Sequence, residues 1–219
     1  MQFIIQIIKK IICKVRSMYL TRLIDSGNGR IIVGEPFMKV RIIKRKGASL
    51  HIKGNFRMYP HAGGNAPIYI DLSAGSTLNI EGDFIIGQGV RIVLAPNSYL
   101  SFGGKEKESD SGITADTLIM VKKKIVIGKD FICAWGVFIS DSDWHQIGDL
   151  PSQANINIGD HVWIANNSTV LKGAVIGENS IIASQSKVSQ KTFPPNSLLA
   201  GTPAKIVKSD ISWSRDVIE

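Results

Sequence analysis

The chain has 219 residues, of which 44% are hydrophobic and 20% are charged, and its formal net charge is +8. This balance excludes a disordered polymer, and the length suits one domain with a short appended segment. The positive charge favours an anionic partner, and nucleic acid, a phosphorylated co-substrate, an acidic polysaccharide and an anionic membrane all fit it. Two cysteines, Cys13 and Cys133, are too few for a disulfide framework, so we expect a reducing, cytoplasmic location.

Residues 1–24 predict an amphipathic helix. Apolar residues recur at three-to-four spacing from Ile4 to Tyr19, opposite a polar stripe. No basic residue precedes the apolar run and no small-residue cleavage site follows it, so the pattern is not that of a signal peptide. Lys9, Lys10 and Lys14 interrupt the run, so a bilayer-spanning helix does not fit either. Two interpretations stay open. The helix lies on the anionic inner face of the cytoplasmic membrane, or its apolar face covers the open end of the domain that follows.

The best-defined part of the sequence, from Ile127 to Thr192, repeats every six residues. We call the first residue of each six the leader. The leaders are aliphatic apart from one cysteine: Ile127, Cys133, Ile139, Ile158, Ile164, Val170, Ile176, Ile182 and Val188. Four places after a leader comes a second small or apolar residue: Phe131, Val137, Val162, Ser168, Ala174, Ser180, Ser186 and Thr192. This period predicts a parallel β-helix, in which three sixes form one triangular coil and the leaders stack into a continuous core. An α-helix or a lone amphipathic strand would show a different period.

The expected architecture is therefore an all-β coil preceded by one helix. We place the coil at residues 25–207 and a C-terminal segment at 208–219. Coils before residue 104 have a weaker pattern, and residues 103–124 break it, so that stretch predicts a charged surface loop.

A second interruption falls inside the regular repeats. After Ile139 the next leader is due at position 145 and comes at 158, so 13 residues are extra. These residues predict one long loop at about 140–157 that leaves the coil at a corner. Repeat proteins use such insertions for binding or catalysis. The loop begins with the segment Ser140–Ile147, which contains Asp, Trp and His side chains.

The hexapeptide run, the Ser140–Ile147 segment and Gly201–Lys205 together resemble the left-handed β-helix acyltransferases. With Ile158–Ile164 and Ile211–Trp213 they are similar, within that superfamily, to the sialic-acid and capsular-polysaccharide O-acetyltransferases. The resemblance covers roughly residues 78–215. It implies a left-handed coil, homotrimers, active sites at subunit contacts and acetyl-coenzyme A as donor. We then expect a carbohydrate acceptor and no nucleic acid.

Four residues are candidates for the chemistry of acyl transfer to a sugar hydroxyl. His145 is the candidate general base, because the hydroxyl proton must leave as its oxygen attacks the thioester. Asp143 is the candidate for orienting the other ring nitrogen, with Asp141 or a backbone carbonyl as alternatives. The resemblance favours a site role for Trp163, as a wall for the acetyl group or sugar or as a donor to the developing oxyanion. Trp144 is the candidate stacking platform for the sugar ring.

The donor has its own candidates. Small residues permit close approach of the pantetheine arm, and basic residues bind the coenzyme phosphates. The predicted channel residues are Ala165, Ala183 and Gly201, and the predicted phosphate contacts are Lys187, Lys205 and Arg215.

Three other functions stay open. N-acetylation of an amino sugar needs the same proton removal. A zinc carbonic anhydrase on the same coil needs three histidine ligands, and the histidines lack the paired spacing of a metal site, so we expect no metal. A carbohydrate-binding β-helix without catalysis would show no dependence on His145. The histidines of the chain are His51, His61, His145 and His161.

Overall fold

A computed structural model describes residues 2–61, 64–106 and 110–216. In these residues one helix, α1 (Gln2–Thr21), precedes 23 short strands. The predicted all-β fold with an N-terminal helix is confirmed. Parts of three predicted segments lie outside the described residues: Met1 of the helix, 107–109 of the surface loop and 217–219 of the C-terminal segment.

The strands are short because a corner follows each of them. In chain order they are β1 Arg30–Val33, β2 Val40–Lys44, β3 Ser49–Ile52, β4 Asn55–Tyr59, β5 Ile68–Leu72, β6 Thr77–Ile80, β7 Phe84–Gly87, β8 Arg91–Leu94, β9 Tyr99–Gly104, β10 Gly112–Ile113, β11 Leu118–Val121, β12 Lys124–Lys129, β13 Ile132–Cys133, β14 Phe138–Ser140, β15 Ile156–Ile158, β16 Trp163–Ile164, β17 Thr169–Leu171, β18 Val175–Ile176, β19 Ile181–Ile182, β20 Lys187–Val188, β21 Thr192–Phe193, β22 Leu198–Gly201 and β23 Ala204–Lys208.

Consecutive strands lie in different sheets, and strands three apart in the chain pair in parallel. The first sheet has the order β1-β4-β7-β10-β13-β16-β19-β22-β23, the second β2-β5-β8-β11-β14-β17-β20, and the third β21-β18-β15-β12-β9-β6-β3. In the described residues only the last pair, β22 and β23, is antiparallel. Each run of three strands is thus one turn of a triangular parallel β-helix.

The core of the coil follows the predicted period. All nine predicted leaders are buried, as are the residues four places later, with one exception. Thr192 is exposed, because the final coil is one residue short and Ile176 pairs with Phe193. Phe193 therefore takes the core position of a leader, one residue before the position that the six-residue period predicts, and Thr192 beside it points outward.

The prediction of a surface loop over residues 103–124 is wrong for most of its length. Strands β10 and β11 continue the coil there, and Ile113 and Ile119 are buried. The six-residue spacing persists between these two isoleucines, but the lysines and glutamates around them obscure it in the sequence. Among the described residues between β9 and β10, only 105, 106, 110 and 111 lie outside the strands.

Helix α1 covers the first coil, but with the face opposite to the one expected. Ser17 and Leu20 face the coil, while the predicted covering residues Ile4, Ile8 and Ile11 are exposed. Of the two interpretations of this helix, the one in which its apolar face covers the open end is therefore wrong. Among the described residues no helix has the length and apolar character needed to cross a bilayer.

The polar face of α1 is turned toward the coil because it lies against the edge strand β1. This strand pairs on one side only, with β4. An edge strand leaves backbone N–H groups without partners. The amide of Val33 donates to the Ser17 hydroxyl at 2.9 Å, and the amide of Ile31 donates to Thr21 Oγ1 at 3.0 Å. Arg16 donates to three backbone carbonyls of the segment that follows β1, those of Glu35, Pro36 and Met38. A polar helix face satisfies this edge, and an aliphatic face would not.

Candidate active site

The predicted long loop is present as residues 141–155, between β14 and β15. Its two arms bond to each other, since the amide of Asp143 donates to the Ser152 carbonyl at 2.8 Å and that of Ala154 donates to the Asp141 carbonyl at 3.0 Å. Near the tip, the amide of Leu150 donates to the Ile147 carbonyl at 3.0 Å. The loop is therefore a hairpin rather than an unstructured excursion.

Asp141 fastens the base of this hairpin. Its side chain is fully buried, and its carboxylate accepts backbone N–H bonds from Lys122, Lys123 and Lys124 at 2.7, 2.8 and 2.7 Å. Those amides lie in the corresponding corner of the preceding coil, between β11 and β12. A carboxylate committed to three backbone donors stabilises the corner, so Asp141 is not the partner of His145.

Asp143 also differs from its predicted role. Its carboxylate pairs with the ammonium group of Lys172, which also donates to the Pro151 carbonyl at 2.5 Å. Among the described residues no hydrogen bond joins Asp143 to His145. Lys172 lies just after β17, in the coil that follows the hairpin. The hairpin is therefore held by the preceding coil through Asp141 and by the following coil through Asp143. The sequence contains no signal for this clamp, since Lys172 is an isolated lysine in a regular repeat.

His145 is exposed in the first arm of the hairpin. Its neighbours on both sides are tied to the loop: the indole N–H of Trp144 donates to Ser140 Oγ at 3.1 Å, and Gln146 Nε2 donates to the carbonyls of Gly148 and Leu150. The ammonium of Lys122 lies 5.8 Å from the Trp144 ring centroid. Trp144 therefore helps to hold the loop that presents the imidazole, and its stacking on a sugar stays a prediction.

If His145 is the general base that the sequence predicts, Lys172→Met should lower kcat by about ten- to hundredfold, because a small displacement of a catalytic group costs that much. Lys172→Arg, which keeps the positive charge, should retain most of the activity. Steady-state kinetics with both substrates varied gives kcat and KM separately, and limited proteolysis reports whether the hairpin opens. An unchanged kcat in Lys172→Met would contradict a positioning role for Lys172.

The main concave site lies on the outer face of the first sheet, away from the hairpin. It is a cavity of about 820 Å³, which we call the first-sheet cavity. The indoles of Trp135 and Trp163 are half-exposed in it. Its lining consists of Thr114, Ile132, Ala134, Trp135, Trp163, Ala165, Asn166, Ile181, Ala183, Ser184, Leu198, Trp213, Ser214, Arg215 and Asp216.

A row of small side chains crosses this cavity. Thr114, Ala134, Ala165 and Ala183 each follow a buried leader on successive coils, so the outward position of the first sheet is small four times in succession. Because side chains alternate across a strand, each of these residues points outward when its leader points inward. The row forms a smooth floor along the coil axis. We predicted Ala165 and Ala183 for such a channel, and the row also includes Thr114 and Ala134.

The C-terminal segment forms one wall of the first-sheet cavity. The Trp213 ring lies 4.0 Å from the His161 ring centroid and 6.0 Å from that of Trp163. Its indole N–H donates to the His161 carbonyl at 3.2 Å. These contacts fix the segment that carries Arg215 over the edge of the cavity. His161 thus lies in the wall as a support for Trp213.

The cavity collects four predicted site residues, namely Trp163, Ala165, Ala183 and Arg215. The others lie elsewhere in the chain. His145, Trp144 and Asp143 belong to the hairpin, and Lys187 lies on β20 of the second sheet. Gly201 ends β22 and Lys205 lies in β23, and neither lines the cavity. Sequence reasoning missed Trp135 and Trp213 as lining residues, because a half-exposed tryptophan has no distinguishing spacing.

The two groups of residues lie on opposite sides of the triangular coil. The hairpin leaves β14 of the second sheet and returns to β15 of the third sheet, so its base is at the corner between those sheets. In a triangular coil this corner faces away from the first sheet. Within one chain the imidazole and the cavity are therefore separated by the core.

The remaining candidate for a reactive group is the thiol of Cys133, directly beneath the cavity floor. It is fully buried, and burial raises its pKa to about 12 despite a hydrogen bond from Thr117 that acts in the opposite direction. The thiol therefore stays protonated and packs as a core residue. In the part of the chain that the structure describes, no three His, Cys, Asp or Glu side chains cluster as metal ligands do.

Comparison with known proteins identifies the family. Residues 155–190 match the model of the bacterial transferase hexapeptide family (six repeats). A polysialic acid O-acetyltransferase of Neisseria meningitidis is 33% identical over 170 residues, which is 70% of this chain and 77% of the relative. The chain belongs to the hexapeptide-repeat O-acetyltransferases.

Two further proteins are similar to this acetyltransferase. A putative lipopolysaccharide biosynthesis O-acetyl transferase of Escherichia coli K12 is 28% identical over 60% of the chain and 71% of the relative. The crystal structure of the polySia-specific acetyltransferase NeuO matches 87% of the chain and 82% of that protein, with a TM-score of 0.50 and 22% identity. The predicted left-handed parallel β-helix is thereby confirmed for this acetyltransferase.

The family match bears on one half of the candidate site. Residues 155–190 contain Trp163, Ala165 and Ala183 of the cavity, together with the clamp residue Lys172. The hairpin with His145 precedes the matched repeats almost entirely. The acetyltransferase thus carries its candidate base on an insertion and its cavity on the repeats themselves.

Proposed function

We propose that this enzyme transfers the acetyl group of acetyl-coenzyme A to a hydroxyl group of a sugar. The sugar belongs to a surface polysaccharide, whether capsular, lipopolysaccharide or exopolysaccharide, or to its precursor. The names of the two O-acetyltransferase relatives support this acceptor class. The observation that carries the proposal is the tryptophan-lined cavity with its floor of small side chains, together with the exposed His145 hairpin that a neighbouring protomer would bring to it.

The first-sheet cavity suits the acyl-pantetheine arm of the donor. The arm is long, narrow and mostly apolar, and a floor of Thr114, Ala134, Ala165 and Ala183 lets it lie close to the backbone. Trp163 borders this floor, and its indole N–H is the proposed donor to the oxyanion that develops at the thioester carbonyl. Arg215, at the cavity wall, is the proposed contact for a coenzyme phosphate, and Lys187 and Lys205 are the proposed contacts from outside the cavity.

The active enzyme is proposed to be a homotrimer with an active site between each pair of protomers. The base of the hairpin faces away from the first sheet of its own chain. A neighbouring protomer that packs its first sheet against this corner would bring its cavity to His145. Closed rotational symmetry repeats the same contact three times, so every cavity receives one hairpin.

The chemistry follows from this placement. The neutral imidazole of His145 accepts the proton of the sugar hydroxyl as the oxygen attacks the thioester carbonyl carbon. The carbon–sulfur bond then breaks, the ester forms, and the imidazolium returns the proton to the departing thiolate. The clamp of Asp143 by Lys172 holds the hairpin, and thus the base, in position during this step.

A cytoplasmic location accompanies the proposal. Cys13 and Cys133 are free thiols, and unpaired thiols persist in a reducing compartment. The donor thioester is consumed on the same side of the membrane.

The test is a thiol-release assay with purified enzyme, acetyl-coenzyme A and a panel of acidic and neutral oligosaccharides. We expect free coenzyme A to appear only with a hydroxyl acceptor, and mass spectrometry should show an alkali-labile acetyl ester. An alkali-stable amide on an amino sugar would overturn O-acetylation in favour of N-acetylation. Stoichiometric zinc with no acetyl transfer would instead favour a carbonic anhydrase.

A further inference from the structure

Helix α1 presents an unusual outward face. The residues opposite its contact with the first coil are all aliphatic or methionine, and each is between 41% and 61% exposed: Ile4, Ile7, Ile8, Ile11, Val15 and Met18. Residues spaced by three and four lie on one side of a helix, so these six form one continuous strip. From residue 4 to residue 18 the strip is about 21 Å long, at 1.5 Å per residue. We call it the α1 strip.

This exposure is not a consequence of loose attachment. The helix is fixed to the coil on its other side through Ser17, Thr21 and Arg16, each bonded to the backbone of the first coil or of the segment after it. The polar side of the helix is therefore occupied, and rotation of the α1 strip toward the core would break these bonds. An exposed apolar surface of this size, rimmed by polar residues, marks an interaction site.

The charges around the α1 strip indicate what binds there. Lys10 and Lys14 are exposed beside the α1 strip, and Arg22, the first residue after the helix, is exposed as well. No acidic residue occurs among residues 2–24. A helix with one aliphatic face and flanking basic residues suits the boundary between acyl chains and anionic headgroups.

We propose that the α1 strip docks the enzyme on the surface of an anionic lipid bilayer. The helix lies in the plane of the interface, with the six apolar side chains in the outer acyl region and Lys10 and Lys14 at the phosphate level. The Arg16, Ser17 and Thr21 side remains bonded to the coil, so docking needs no rearrangement of the protein.

A second copy of the helix suits this surface less well. Two or three α1 helices packed through their strips would bring the flanking lysines together, with no carboxylate among residues 2–24 to pair with them. Anionic headgroups supply the opposite charge that another copy of the helix lacks.

Docking has a geometric consequence for the active site. Strand β1 contacts the helix, and β16, which carries Trp163, is five strands along the first sheet. At about 4.8 Å per strand the cavity lies roughly 24 Å along the coil from its helix-covered end. A membrane-attached acceptor would reach the cavity through an extended glycan rather than through its lipid end.

The test is co-sedimentation of the full-length enzyme with vesicles of phosphatidylcholine alone and of phosphatidylcholine mixed with phosphatidylglycerol. We expect binding to the mixed vesicles that weakens as salt is added. Lys10→Gln and Lys14→Gln should each weaken it about fivefold. Ile8→Glu should bind about tenfold less well, or worse, than Gln6→Glu. These two variants add the same charge at exposed positions, and only the first removes an apolar contact.

Several outcomes would overturn the proposal. Absence of binding to mixed vesicles is one, and equal losses in Ile8→Glu and Gln6→Glu are another. A smaller particle for Ile8→Glu in sedimentation velocity, without vesicle binding by the unaltered chain, would show that copies of the helix cover the strip. Thiol release with a soluble acceptor is expected to be unchanged in every variant, so failure of docking leaves the proposed reaction standing.

Discussion

Replacing His145 with alanine is expected to lower kcat by about a hundred- to ten-thousandfold, the contribution of a well-placed general base. The imidazole is exposed on the hairpin, and its loss leaves the bonds that hold the hairpin intact. KM for acetyl-coenzyme A should change little, because the small-residue floor and the tryptophans of the cavity are unaltered. Initial rates of thiol release, with each substrate varied, separate these quantities.

The control for this variant is His51→Ala, which removes a histidine from the third sheet, outside both the hairpin and the cavity. Its kcat should equal that of the unaltered enzyme. Both variants should elute at the same position in gel filtration as the unaltered enzyme. If His145→Ala kept full activity, the hairpin would have no part in the chemistry, and a carbohydrate-binding role would be the better account.

Filling the small-residue row should be almost as damaging. Ala183→Trp places an indole on the floor of the cavity, where the pantetheine arm is proposed to lie, and we expect kcat/KM for acetyl-coenzyme A to fall roughly 10- to 100-fold. Ala183 is half-buried at the outer surface, so the larger side chain projects into the cavity rather than into the core. Kinetics at saturating acceptor, with the donor varied, measures the effect.

Ala74→Trp is the matched control, because it makes the same change at an exposed corner outside the cavity. It should leave kcat/KM unchanged. Equal kinetics for Ala183→Trp and the unaltered enzyme would mean that the donor does not occupy the first-sheet cavity.

The coil was predictable because its core depends on local spacing alone. Every leader from Ile127 to Val188 is buried. A six-residue period brings each leader to the same place on its strand, where the side chain points into the core. The same reasoning failed at Thr192, because the last coil is one residue shorter than the others. Phe193 therefore lies inward where the six-residue count predicts residue 194. It also failed at Ile113 and Ile119, where charged neighbours hid an intact period.

The attachment of α1 could not be derived from its amphipathic pattern. Burial of the apolar face is the usual arrangement of a surface helix, but here the free amides of β1 select Ser17 and Thr21 instead. That preference depends on which strand forms the edge of the first sheet, and this is a property of the assembled coil.

The candidate site was predictable in part. The extra residues between Ile139 and Ile158 predict the hairpin, and the six-residue repeat places Ala165 and Ala183 directly after buried leaders. The pairing of Asp143 with Lys172 does not, because it joins residues 29 positions apart on different coils. The separation of His145 from Trp163 also has no signature in the sequence, since it depends on which corner the hairpin leaves.

The central claim is that each active site takes its base from one protomer and its cavity from another, and mixed trimers test it most directly. Chains carrying His145→Ala and chains carrying Ala183→Trp are each expected to retain about a tenth of the activity or less when acetyl-coenzyme A is below its KM. The two are unfolded together in equal amounts, refolded and assayed under that condition. If sites form between protomers, about a quarter of them combine an intact base with an intact cavity, and the thiol-release rate should recover to about a quarter of that of the unaltered enzyme. A mixture no more active than the two variants refolded separately would contradict the account, because it would place the base and the cavity of each site in the same chain.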